Sequence, residues 1–239
     1  MSHVAGKIAL VTGASSGLGA AVARVLGEAG ASLVIAARRK DRLDALAAEI
    51  GGDTLPVECD VTDEDAVERL FAATLDRFGR LDILVNNAGM ADHTPTDELS
   101  LARWRAMLDT NLTSAFLCAR AALRIMKRQG GGRIVNVGSL SALVPRGDTI
   151  AYAATKAGLA GLNHSLAIDG RAHGISSSIF HPGIVGTELR RSAGPVDPTM
   201  RMGAEVTARA MLAMIDLPDH VTFVDATMLP MAMPFLGRG

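Results

Sequence analysis

The stretch Ile8-Ala9-Leu10-Val11-Thr12-Gly13-Ala14-Ser15-Ser16-Gly17-Leu18-Gly19 decides the fold. Its first five residues are an apolar run of the kind a buried strand shows. They lead straight into a glycine-rich turn, and the turn opens a helical pattern. Apolar residues follow at Leu18, Ala21, Val22, Val25, Leu26 and Ala29, one face of a helix, before Gly30 supplies a stop. Glycines at such a turn let the backbone bend tightly and approach a pyrophosphate, whose charge the helix N-terminus favours. The spacing is G-x-x-x-G-x-G, and a glycine-rich turn alone is an unspecific signal. A strand before it and a helix after it point to dinucleotide binding.

The same alternation continues along the chain. Candidate strands are Ile8–Thr12, Leu33–Ala37, Leu55–Cys59, Ile83–Asn86, Ile134–Gly138, Ser178–His181 and Val221–Asp225. Most are continuous apolar runs, as in strands covered on both faces of a parallel sheet. Helical patterns lie between them. The pattern predicts an α/β, doubly wound (Rossmann) parallel sheet of seven strands with helices on both faces. A length of 239 residues is ordinary for one α/β unit. No Pro/Ser-rich linker or long repeat divides the chain, so residues 1–239 read as a single domain. Glu188–Gly203 contains Gly194, Pro195, Pro198 and Gly203 after a strand end. It reads as a flexible substrate loop, or as a plain surface loop.

Bulk properties exclude several classes. The net charge of −1 gives no electrostatic reason for nucleic acid or an acidic membrane as partner. No run of about 18 uninterrupted apolar residues suggests a membrane span. The start lacks the pattern of a signal peptide, and the expected location is cytoplasmic. Cys59 and Cys118 match no metal spacing, and neither do the six histidines, so no metal site is expected. Both cysteines read as small buried hydrophobes in a reducing setting.

The second strand bears on the choice of dinucleotide. An NAD site usually carries Asp or Glu roughly 20 residues past the glycines, holding the ribose 2′-hydroxyl. Here the sequence reads Ala36-Ala37-Arg38-Arg39-Lys40, with no acid before Asp41. A carboxylate would repel a 2′-phosphate, whereas guanidinium groups bind one through charge-assisted hydrogen bonds. Arg38 is the first choice for that contact, with Arg39 stacking on adenine or assisting. The bland reading is a solvated basic turn. Asp41 is expected to cap a helix beginning near Arg42.

Tyr152 and Lys156 stand at i and i+4, on one face of a helix. Ser139 lies 13 residues upstream, just after the strand Ile134–Gly138. Ligands of parallel sheets bind at carboxyl ends of strands, so Ser139 would face the cofactor's reactive end.

With these residues in place, the chain resembles the short-chain dehydrogenase/reductase family over roughly residues 5–190. Thr12–Gly19 resembles its glycine motif, Asp60-Val61 its adenine contact, and Asn86-Asn87-Ala88-Gly89 its Asn-Asn-Ala-Gly segment. Asn111 resembles the family's helix asparagine, Ser139 its serine, and Tyr152 and Lys156 its Tyr-x-x-x-Lys pair. Pro182-Gly183-Ile184-Val185-Gly186-Thr187 resembles the segment that closes over the nicotinamide. The resemblance implies a nicotinamide dinucleotide, and the basic pair Arg38-Arg39 makes NADP(H) the cofactor expected. Its contacts would be Gly13, Ser15, Ser16, Gly17, Leu18, Gly19, Arg38, Arg39, Asp60, Val61, Asn87, Ala88 and Gly89. Tyr152, Lys156, Pro182, Gly183, Val185 and Thr187 complete the set.

The implied chemistry interconverts a ketone and a secondary alcohol. Tyrosine, with a pKa near ~10, is a poor base at neutral pH, and a nearby ammonium favours its phenolate. On this resemblance Tyr152 moves the proton, Lys156 assists it and holds the ribose, and Ser139 polarises the substrate oxygen. Asn111 would anchor a water linking Lys156 to solvent, although a helical Asn also binds backbone carbonyls readily. Asn87 would lie near the cofactor, with Asn86 structural. Substrate contacts are expected from Ser139, Leu140, Val144, Tyr152, Ile184 and Leu189, with Met90 a further candidate. Arg146 and Asp148 either add polar recognition or are solvated loop charges. His181 and most of the methionines between Met200 and Met233 read as structural.

The sequence leaves three functions in contention. An NADPH-dependent carbonyl reductase acting on a small molecule leads, and a 3-oxoacyl-acyl carrier protein reductase is the enzymatic alternative. A dinucleotide-sensing binding protein with lapsed catalysis would have lost Ser139, Tyr152 or Lys156, and all three are intact. The C-terminus departs from many relatives, because Val224-Asp225 is followed by Ala226-Thr227 where they carry two glycines. A homodimer or homotetramer is expected, paired through the helices carrying Asn111–Met126 and Tyr152.

Overall fold

The computed structural model describes residues 2–187 and 197–234. Elements alternate as β1 (Ile8–Thr12), α1 (Gly17–Glu28), β2 (Ser32–Ala37), α2 (Lys40–Ile50), β3 (Thr54–Glu58), α3 (Glu64–Phe78) and β4 (Ile83–Asn86). They continue with α4 (Leu101–Leu108), α5 (Ser114–Gln129), β5 (Gly132–Val137), α6 (Ile150–Arg171), β6 (Ile175–Pro182), α7 (Ala204–Ile215) and β7 (Asp225–Met228). The seven strands form one parallel sheet in the order β3-β2-β1-β4-β5-β6-β7. The expected doubly wound fold is therefore present, as one domain. Strand order reverses between β1 and β4, which opens a crevice at their carboxyl ends.

The apolar runs of β1 and β2 hide a period of two. Ala9, Val11, Leu33 and Ile35 face the layer that includes Val22, Leu26, Leu43 and Met211, from α1, α2 and α7. Leu10, Val34 and Ala36 face the opposite layer, with Val67, Leu70, Leu117 and Met126 from α3 and α5. Each run is continuous because both faces of these strands are covered. Helix ends follow local chemistry. The Asp63 carboxylate accepts the amides of Asp65 and Ala66 at 2.9 and 3.2 Å, and Gly79 ends α3 in the left-handed region at φ +73°.

Two expectations are corrected. The last strand begins at Asp225, where the run Val221–Asp225 was expected. The carbonyl of Val221 accepts from the Arg133 guanidinium at 3.2 Å, and that guanidinium also takes the carbonyls of Leu217 and Pro218 at 3.3 Å. Arg133 thus takes the carbonyl at the start of the segment, and the ladder with β6 begins only where the Ile179 amide donates to the Val224 carbonyl at 3.0 Å, opposite Asp225. Helix α2 begins at Lys40, so Asp41 lies in its first turn and caps nothing. The N-cap position falls to Arg39, whose side chain is engaged elsewhere.

Candidate active site

The crevice above β1, β4 and β5 holds a cavity of about 490 Å³. Each cofactor-contact residue expected from the sequence lines it, from Gly13 and Arg38 through Asn87 to Thr187. Of the expected substrate contacts, Ser139, Leu140, Tyr152 and Ile184 also line it, as does Met90. Val144 does not line it: the backbone there turns back, its amide donating to the Leu140 carbonyl at 2.9 Å. Leu189, and residues 188–196 of the expected substrate loop, lie outside the described residues. The remainder of that stretch forms a short turn at Pro198–Met200, and Met202 bridges to Val185.

The glycine turn is tight because backbone from two sides needs the space. A Cβ on Gly13, whose φ is +66°, would stand 2.8 Å from the Ala88 Cα. One on Gly19 would stand 2.4 Å from both Asn87 Nδ2 and the Gly13 carbonyl. The Asn87 amide closes this junction, donating to the carbonyls of Thr12 and Gly13 at 2.9 and 3.2 Å. Thr187 packs on the outer side, 3.0 Å from where a Cβ of Gly17 would lie. Helix α1 starts after Ser16 with no side-chain cap and no acid in its first turn. Its positive end is thus directed at the cavity without a competing carboxylate. A dinucleotide's pyrophosphate fits such a cradle.

The β2 end of the cavity is basic. Arg38 is exposed there, while Arg39 lies across the phosphate turn. The Arg39 guanidinium donates to Ser15 Oγ at 2.9 and 3.1 Å and to Ser16 Oγ at 2.7 Å. Asp60 is held by Thr62, whose amide and hydroxyl donate to Oδ1 at 3.0 and 2.7 Å. Those bonds, the amide foremost, keep its carboxyl below the usual carboxylate range.

At the β5 end, Ser139 follows the strand and caps the turn Leu140–Ala142. Its Oγ accepts the Ser141 amide at 3.1 Å, which leaves the hydroxyl proton to point elsewhere. The His181 imidazole grips the Ser139 backbone in either tautomer, with Nδ1 at 3.1 Å from the amide and 2.9 Å from the carbonyl. Its Nε2 lies 3.3 Å from the Asp225 carboxylate. Nothing in the sequence announced this link from β6. The structural reading of His181 therefore holds, though next to the site.

Lys156 is 4% exposed, and its ammonium donates to the Val137 carbonyl at 2.8 Å. Burial pushes its pKa down to about 8. Its Nζ stands 5.8 Å from the centre of the Tyr152 ring. Asn111 occupies a π-helical turn, Asp109–Thr113, between α4 and α5. Its side chain is fully engaged: Oδ1 accepts the Met90 amide at 2.7 Å, and Nδ2 donates to the Met90 carbonyl at 2.9 Å and to Thr155 Oγ1 at 3.2 Å. It staples the segment after β4 to α6. Asn86 is structural as expected, donating to Asn136 Oδ1 at 3.0 Å inside the core.

The family profile described as short chain dehydrogenase matches residues 7–197. The chain belongs to this family. As a short-chain dehydrogenase it is 39% identical over 218 residues to the cis-4-hydroxycyclohexanecarboxylate dehydrogenase of Sinomonas cyclohexanicum, covering 90% of this chain and 86% of that one. It is 36% identical over 193 residues to a 3-oxoacyl-[acyl-carrier-protein] reductase of Synechocystis sp., covering 79% and 78%. Among solved structures, the alcohol dehydrogenase of the archaeon Thermococcus sibiricus complexed with 5-hydroxy-NADP superposes with a TM-score of 0.88. That protein is 28% identical, with 95% of this chain and 98% of the other covered. The short-chain dehydrogenase described here is thus an oxidoreductase acting on CH–OH and C=O groups.

Proposed function

We propose that the chain is an NADP(H)-dependent oxidoreductase of ketones and secondary alcohols, working as an NADPH-dependent carbonyl reductase. One observation carries the reading: Ser139, Tyr152 and Lys156 line the same cavity as Arg38 and Arg39, at a β2 end that carries no acid. A guanidinium there suits a 2′-phosphate, and the Thermococcus relative carries an NADP derivative. NADPH, when bound, supplies the hydride.

The chain's own residues then handle the proton. Lys156 is desolvated, and its ammonium lies beside the Tyr152 ring, 5.8 Å from its centre. Tyr152 gives its proton to the substrate oxygen during reduction and takes it back during oxidation. Ser139, its Oγ already accepting the Ser141 amide, donates its hydroxyl proton to the same oxygen. Asn111 keeps β4 and α6 in register, so that Gly89 and Lys156 stay adjacent.

A second reading, 3-oxoacyl-carrier-protein reductase, draws on the name of the Synechocystis relative. The deciding experiment follows NADPH and NADH oxidation with ketones, diketones and 3-oxoacyl thioesters. Ketone turnover with NADPH preferred supports the proposal. Turnover confined to thioesters supports the second reading, and NADH preference refutes the cofactor assignment. We further propose a homodimer or homotetramer, since Phe116 on α5 and Ile150 and Ile168 on α6 are exposed apolar side chains. The two buried free cysteines suit a reducing, cytoplasmic setting.

A further inference from the structure

We infer that Arg146 is a specificity-determining residue that takes the negatively charged group of the substrate, so that the preferred carbonyl compounds are oxo acids rather than neutral ketones. The inference rests on the reading of Ser139 and Tyr152 given above and names the substrate class of that site.

Arg146 lies in the connection from the Leu140–Ala142 turn to α6, between Ser139 and Tyr152 in sequence, and it lines the cavity with both. Its backbone is anchored, because Thr149 Oγ1 donates to the Arg146 carbonyl at 2.6 Å. Its side chain is not. Nε is sealed from solvent and has no hydrogen-bond partner. A guanidinium stays charged at any ordinary pH, and a sealed N–H without an acceptor leaves that charge poorly compensated, which favours an anion on the part of Arg146 that lines the cavity. Asp148, the nearest acid in sequence, is exposed and does not line the cavity.

The charge distribution assigns this cation to the substrate. Among the described residues that line the cavity, the only carboxylate is Asp60, which Thr62 holds beyond the β2 end. Arg38 and Arg39 serve that end too. In the sheet, β2 and β5 are three strand spacings apart, about 14 Å at the usual separation. Lys156, the other cation near Ser139, already donates to the Val137 carbonyl. Among the described residues, Arg146 is therefore the cation at the reacting end left to a ligand. Leu140, Ile184 and Met90 line the same space with apolar surface, which strengthens a charge pair. A planar guanidinium binds carboxylate or phosphate oxygens two at a time.

The test uses the NADPH-loaded enzyme and oxo carboxylates of increasing ketone-to-acid spacing. Each is assayed beside its carboxamide and its phosphonate. At the spacing that fits, kcat/KM for the acid should exceed that for the amide at least tenfold. Arg146→Gln should lower the acid value at least tenfold more than the amide value, and Arg146→Lys should recover part of the difference. A phosphonate outrunning the carboxylate assigns a phosphate-bearing substrate, and the reverse assigns a carboxylate. Equal rates for acid and amide in the unmodified enzyme overturn the inference alone, as does an Arg146→Gln variant that slows both equally. Weaker NADPH binding in that variant puts Arg146 on the cofactor and overturns it as well. Failure to oxidise NADPH with any ketone or acid overturns the reductase reading and this inference together.

Discussion

Replacing Lys156 with Met in the cofactor-free protein should change stability in a way that depends on pH. In the folded chain the Lys156 ammonium is buried and its pKa falls from the ordinary 10.5 to about 8. At 1.36 kcal/mol per pH unit, that drop corresponds to about 3 kcal/mol. Below pH 8 both states carry the charge, and the folded state bears its full desolvation cost. Between pH 8 and 10.5 the unfolded chain binds more protons than the folded one, so stability rises with pH. Above 10.5 both forms are neutral and the cost is gone. The variant has no such group, but it orphans the Val137 carbonyl, which costs about 1–3 kcal/mol at every pH. Urea unfolding at pH 7.5 and 10.5, with Tyr152→Phe in both proteins to remove the titration coupled to Lys156, separates the two effects. Relative to the variant, the protein that keeps Lys156 should gain about 3 kcal/mol over that interval. A difference that stays within about 1 kcal/mol, or runs the other way, refutes the depressed pKa and the desolvation behind it.

Other expectations concern the cofactor and the proton. Tyr152→Phe should lower kcat/KM about 10²–10⁴-fold, with the NADPH Kd from fluorescence titration within about twofold of the original. Retained turnover would dismiss Tyr152 as the proton donor. Arg38→Ala should weaken NADPH by roughly ten- to a hundredfold, the worth of a charge-assisted hydrogen bond, and leave NADH nearly unaffected. Equal losses for both cofactors would dismiss the 2′-phosphate contact. Gly19→Ala places a Cβ 2.4 Å from the Gly13 carbonyl, so it should destabilise the fold by about 1–3 kcal/mol and weaken NADPH. An unchanged thermal midpoint would show that the turn relaxes freely.

Much of this was readable in the chain because the decisive signals are local. β1, β2, β4 and β5 are short apolar runs, and the glycine turn and the Tyr152–Lys156 spacing each sit within a few residues. The misses share a different cause, which is competition from distant groups. Val221–Val224 has strand composition, yet Arg133 on β5 takes its first carbonyl. The bonds of the Arg39 guanidinium to Ser15 and Ser16, 23 or more positions away, are announced by no local pattern. The bonds of Asn111 to Met90 and to Thr155 likewise join groups 21 and 44 positions apart. Composition cannot report which partner a long or bifunctional side chain meets across the sheet.

The hold of His181 on Ser139 has an evolutionary consequence. The serine is seated by an imidazole rooted in β6, whereas Arg146 hangs from the loop ahead of α6. The two parts can therefore change independently. Drift in the loop can alter which compounds the cavity admits while the hydroxyl keeps its aim. Such a division gives a lineage room to acquire new substrates without relearning how to move a proton.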